Sequence, residues 1–167
     1  FPFYHKAVAD LRIMGVLQKI SISYGFAGII VLYARKAWLP YITGFILLFY
    51  WWLLWYFGGN NPYGLESNIV RLVDLKIFGA SHLYGGFGLP FDPEGLLGCI
   101  PSIGTVLLGF IFGQRILALK DKSKLVIEYT IAGLILILLG IVWGQFFPII
   151  KALWTSSYVL FTAGMAL

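Results

Sequence analysis

Asp92-Pro93-Glu94-Gly95 sets two carboxylates two positions apart, just ahead of an apolar stretch at 100–117 whose composition is that of lipid. Such a pair can take up a proton, or hold the hydroxyl and amino groups of a sugar. A second polar group runs along the first apolar stretch. Arg12, Gly15, Lys19 and Ser23 recur at helical spacings of three and four, with Gln18 beside them. Charges at membrane depth are expensive and face a cavity or a partner. The two cations therefore read either as the wall of a polar cavity or as snorkelling and ion-pairing groups, with Arg12 against Asp92 or Glu94 as one such pair. Asp92-Pro93-Glu94 also has a purely local reading. Asp is a preferred helix N-cap, Pro suits the first helical position, and an acid in the first turn complements the helix dipole. Against it, a second carboxylate beside a membrane is costly unless paired or used. His82 stands alone in a loop, where a histidine is usually solvated or structural.

These groups must be positioned by membrane helices. The chain is 60% hydrophobic and only 11% charged, with mean hydropathy +0.88, whereas a soluble domain carries about a quarter charged residues. Its +5 net charge does not point to nucleic acid, because the basic residues are spread along the chain and not gathered on one polar face. Cys99 has neither a disulfide partner nor the neighbouring His or Cys of a zinc site, so no metal is expected. Phe1 begins without an initiator methionine or signal peptide and Leu167 falls inside an apolar run, so the chain reads as an internal piece of a longer protein.

The expected fold is all-α, a polytopic transmembrane helix bundle of about five spans, each needing roughly 20 mostly apolar residues. Residues 1–167 form part of a single domain, with spans near 12–33, 39–57, 100–117, 127–147 and 153–167. A polar approach with His5 and Lys6 precedes the first span. The second ends in Phe49-Tyr50-Trp51-Trp52 and Trp55-Tyr56-Phe57, an aromatic belt for the headgroup region. The third carries Gly109 and Gly113 in a small-xxx-small pattern that lets a neighbouring helix approach closely, which predicts a central position. The fourth, nearly pure Ile, Leu, Val and Gly, reads as lipid-facing scaffold.

Residues 58–98 make one long outer or luminal loop. Within it 65–78 is a short surface helix with Leu65, Ile69, Leu72, Val73 and Ile77 on its apolar side. The glycines at 85, 86 and 88 lack the following Lys-Ser/Thr of a phosphate-cradling loop. Arg35 with Lys36, and the group from Arg115 through Lys120 to Lys124, place the first and third connections in the cytoplasm and the long loop outside. Lys6 and Arg12, at the outer end of the first span, count against that orientation.

Leu11-Arg12-Ile13-Met14-Gly15-Val16-Leu17-Gln18-Lys19, then Asp74 with Gly79 and His82-Leu83-Tyr84, then Phe91-Asp92-Pro93-Glu94-Gly95-Leu96-Leu97-Gly98, and finally Leu153-Trp154-Thr155-Ser156-Ser157-Tyr158-Val159 occur in that order. In this the chain resembles the transmembrane heparan-alpha-glucosaminide N-acetyltransferase family, as a bacterial relative, over the middle of such a protein. The resemblance implies a multi-pass acyltransferase that moves acetyl from cytosolic acetyl-CoA to a glucosamine-type amine on the far side of the membrane. It also implies a catalytic histidine upstream of Phe1, a role that neither His5 nor His82 takes. Carried over to matched positions, it gives Asp92, Glu94 and His82 supporting catalytic roles, and places Asp92, Glu94, Trp154 and Ser157 at the acceptor. Arg12, Lys19 and Gln18 are expected to face acetyl-CoA, though the topology puts Arg12 far from the cytosolic phosphates.

The partners expected are the lipid bilayer and an amino-sugar or glycan acceptor, with no nucleic acid and with homo-oligomerisation left open. The long loop carries no Asn-x-Ser/Thr site, which favours a bacterial inner membrane with a periplasmic loop over a lysosome. The principal alternative is an amino-sugar transporter without acyl transfer.

Overall fold

A computed structural model describes residues 11–119 and 121–167. The sequence readings that fall on His5, Lys6 and Lys120 lie outside the described residues. Six α-helices follow one another: α1 Val16–Tyr33, α2 Leu39–Phe57, α3 Ile69–Phe78, α4 Cys99–Ala118, α5 Lys122–Gly144 and α6 Ser156–Ala166. Among the described residues there is no strand. Helices α1, α2, α4 and α5 are long and apolar enough to cross a membrane. Helix α6, at the position of the expected fifth span, has 11 residues and runs to Ala166, next to the last residue, Leu167.

Local chemistry sets most boundaries. Pro40 stands in the first turn of α2, where a missing N–H costs nothing. Asn68 caps α3 by accepting from Arg71 N at 2.8 Å, and Asp121 caps α5 through Ser123 N and Lys124 N. That cap starts α5 five residues before the apolar run at 127. Helix α1 begins at Val16 and not at Arg12. The preceding segment docks on the loop instead, with Ile13 N donating to His82 O at 3.3 Å and His82 Nδ1 to Leu11 O at 2.7 Å. Asp92-Pro93-Glu94 does not start α4, which opens at Cys99 behind Gly98. It forms a tight turn in which Asp92 Oδ1 accepts Glu94 N at 2.9 Å and Asp92 O accepts Gly95 N at 3.0 Å.

The bundle is inside-out relative to a soluble protein. Lys19, Ser23, Thr43, Asp74, Asp92 and Ser102 are buried, while Leu17, Leu32, Phe45, Trp52 and Leu138 are exposed, as a lipid solvent requires. Helix α4 is central, packing on α1, α2 and α6, but Gly109 and Gly113 are not its contact points, since a Cβ at either would meet nothing. Gly104 is, against Leu47, and the closest helix approach lies elsewhere, between Gly133 of α5 and Gly164 of α6. So α5 is scaffold on one side and a packed seam on the other. The aromatic cluster of α2 divides as well. Tyr50 is fully buried and Trp51 stacks on Phe147, whereas Phe49, Trp52, Tyr56 and Phe57 contact one another along the outer face. On α3 the buried residues are Val70 and Asp74 and Ile69 packs against the core, while Leu72 and Ile77 are exposed, so the expected apolar side is split between the protein interior and the outer surface.

Candidate functional site

The loop at 58–98 folds over the ends of α1 and α4 and brings residues far apart in sequence together. Arg12 forks onto Asp92, donating from Nε to Oδ2 at 2.7 Å and from Nη2 to Oδ1 at 2.6 Å, and from Nη2 to Glu94 Oε2 at 2.5 Å. Asp92 is fully buried, Arg12 one-third exposed and Glu94 one-fifth exposed. The fork geometry suits arginine, whose planar guanidinium meets a carboxylate with two parallel bonds. The Asp92 hydrogen bond raises the Arg12 guanidinium above its ordinary pKa, which keeps it charged. Tyr84 covers it, with the ring centroid 5.0 Å from Cζ.

Lys19 enters from α1. Its Nζ donates to Pro93 O at 3.1 Å and lies 4.0 Å from the centroid of the Trp154 ring, a desolvated cation–π geometry. Trp154 is the one described non-glycine residue with positive φ (52°). For so bulky a side chain that is a strained conformation, of the kind that gathers at functional sites. Its indole Nε1 donates to Thr105 Oγ1 at 3.2 Å.

Asp74 supports the acidic turn from beneath. It is fully buried, its Oδ1 accepts Leu96 N at 3.0 Å, and its Oδ2 has no partner. Burial pushes its carboxyl up to about 6, with Asp92 adding to the effect and the Leu96 hydrogen bond opposing it. Gly95 is required here, because a Cβ would lie 1.9 Å from Asp74 Oδ2.

Two hollows meet at this cluster. One, of about 720 Å³, runs between α1 and α4 and includes Lys19, Ser23, Ser102 and Thr105. The other, of about 550 Å³, opens on the loop side past Arg12, Tyr84, Phe87 and Lys151. Glu94 and Trp154 line both. Arg12, Lys19, Asp92, Glu94 and Trp154 thus converge. The remaining sequence candidates do not. Gln18 is exposed and lines neither hollow. Ser157 is buried at the α5–α6 corner, donating to Phe147 O at 2.5 Å, so its hydroxyl braces that corner and has no opening onto a ligand. His82 lines neither hollow; its bond to Leu11 O fixes the segment that carries Arg12. Lys36 and Arg115, at the far end of the bundle, share a hollow of about 510 Å³. Sequence reasoning missed Asp74 and Lys151 as site residues. That Asp74 is the one acid of α3, on a helix with an apolar side, was the available signal for it.

No protein-family model matches the chain. Among curated proteins, heparan-alpha-glucosaminide N-acetyltransferase of Mus musculus is 35% identical over 102 residues, which is 52% of this chain and 16% of that protein. Its Homo sapiens counterpart is 33% identical over 121 residues, covering 61% of this chain and 18% of that protein. The chain is related to this family and spans less than a fifth of the length of these relatives.

Proposed function

We propose, from that relationship, that the chain contributes the acceptor side of a membrane acetyltransferase in which acetyl passes from cytosolic acetyl-CoA to a glucosamine-type amine on the far side of the membrane. The carrying observation is the Arg12–Asp92–Glu94 cluster, with Glu94 lining both hollows. Acyl transfer from a thioester needs an unprotonated amine, a base for its proton and donors for the developing oxyanion. Asp92, committed to Arg12, holds the cluster's geometry. Glu94, partly open, is the carboxylate that meets an amino sugar entering from the loop side, and the Trp154 ring offers a face for the sugar to stack on. The groove follows α1 from Val16 to Val31, about 22 Å at 1.5 Å per residue, long enough for the pantetheine arm of a donor whose phosphates stay at the Lys36 end, where Arg115 is forked onto Glu128. The membrane is a bacterial inner membrane, and the loop side is periplasmic.

The test uses the full-length protein in proteoliposomes of checked orientation, loaded with glucosamine and given acetyl-labelled acetyl-CoA outside. Label is expected on the sugar, falling by about 10²-fold or more in Glu94→Gln with the protein still folded. Sugar crossing unmodified, with the thioester intact, would replace this reading with transport.

A further inference from the structure

Ser23 and Asp74 hold the only buried side-chain oxygens without a hydrogen-bond partner among the described residues. The Ser23 case stands out against its neighbours. Thr43, Ser102, Thr105, Thr130 and Thr162 all donate their hydroxyl to the carbonyl four residues earlier, the usual resolution for a hydroxyl in an apolar helix. Ser23 does not, although it is only 2% exposed, and it lines the groove between α1 and α4. Lys19, one turn earlier on the same face and 5% exposed, lines that groove too. Its Nζ makes one hydrogen bond, to Pro93 O, which leaves further N–H groups free, and the Trp154 face holds it in place. Two buried donors with hydrogen-bonding capacity left over, adjacent on one helix face, are a site for an oxygen that carries negative charge.

We propose that Lys19 and Ser23 are catalytic residues that together hold the carbonyl oxygen of the acyl group as transfer proceeds, an assignment that rests on the acetyltransferase reading above. The acyl group reaches them at the upper end of the groove, and the acceptor reaches the same point from the loop-side hollow past Glu94 and Trp154. The amine nitrogen attacks the thioester carbon and forms the C–N bond while the C=O π pair moves onto oxygen, where the Lys19 and Ser23 donors receive it. The pair returns, the C–S bond breaks and sulfur leaves with its electrons. The proton lost by nitrogen passes to Glu94 and then to the thiolate, giving an amide and a free thiol.

The experiment measures kcat and KM for acetyl transfer by the full-length protein, the unaltered parent beside Ser23→Ala and Lys19→Met. The affinity of each for the ethyl thioether of coenzyme A, which lacks the thioester carbonyl, is measured alongside. Each variant is expected to lose kcat by on the order of 10²-fold, with the KM for acetyl-CoA and the thioether affinity unchanged. Unaltered kcat in both, or weaker thioether binding at unaltered kcat, overturns the assignment alone, because acetyl transfer by the parent is intact. A parent that transfers no acetyl overturns the acetyltransferase reading and this one with it.

Discussion

Asp74 is the residue on which the acidic turn rests, and its chemistry is set by burial. An aspartate in an unfolded chain titrates near 4, whereas Asp74 in the fold is pushed up to about 6. Between those values the folded chain keeps a proton that the unfolded chain has lost. Stability from this group is therefore fully present below about pH 4 and falls as pH rises through about 6. Asp74→Asn keeps an acceptor for Leu96 N and abolishes the titration. Melting in detergent should show the variant gaining on the parent between pH 4.5 and 7; parallel curves would mean that Asp74 stays ionised in the fold. Arg12 and Asp92 behave differently, since removing Arg12 leaves Asp92 and Glu94 with no charge opposite them, whereas removing Asp92 still leaves Arg12 paired with Glu94.

Helix contacts in this bundle depend on where backbone meets backbone. Between α5 and α6 a Cβ at Gly164 would lie 2.6 Å from Gly133 O, and one at Gly140 would lie 2.8 Å from Phe161 N. Small residues are needed at such a seam because apolar side chains gain nothing from leaving lipid, so close packing carries the association. Gly164→Ala should lower the melting temperature, by an amount corresponding to roughly 1–3 kcal/mol of overpacking. Gly109→Ala meets only open space and should be neutral or stabilising by up to about 1 kcal/mol through helix propensity. Equal melting of the two variants would contradict the seam. Helix α3 works as a cover, with Asp74 turned toward the site and Leu72 and Ile77 exposed on its outer side.

Across the whole molecule, the acids of the site lie at one end. The carboxylates Asp74, Asp92 and Glu94 gather where the 58–98 loop folds over α1 and α4, while Lys36 and Arg115 lie together at the other end. Basic residues favour the cytoplasm, so the loop is expected outside. Ser81 and Lys122 are exposed at opposite ends, and Cys99, the only native cysteine, is buried. A membrane-impermeant maleimide should therefore label Ser81→Cys in spheroplasts and Lys122→Cys only after permeabilisation. The reverse pattern would invert the topology.

The membrane class, the second and third spans and the possibility of an Arg12 pairing with Asp92 or Glu94 were legible in the residues themselves. Hydropathy and helical period are local properties, which is why 39–57 and 100–117 fall within one residue of α2 and α4. Folding of the loop decided the rest. Arg12 and Asp92 are 80 positions apart, and the segment that carries Arg12 left the helical pattern because His82 supplied partners for its backbone. Asp92-Pro93-Glu94 has every local feature of a helix start, yet its carboxylate was taken by an arginine from another part of the chain. Spacing put Lys19 and Ser23 on one stripe. That Thr43 and Ser102 bond to their own helix while Ser23 is left without a partner beside a groove is settled only by how α1 packs on α4, because a hydroxyl's partner depends on rotamer and neighbours and not on sequence period.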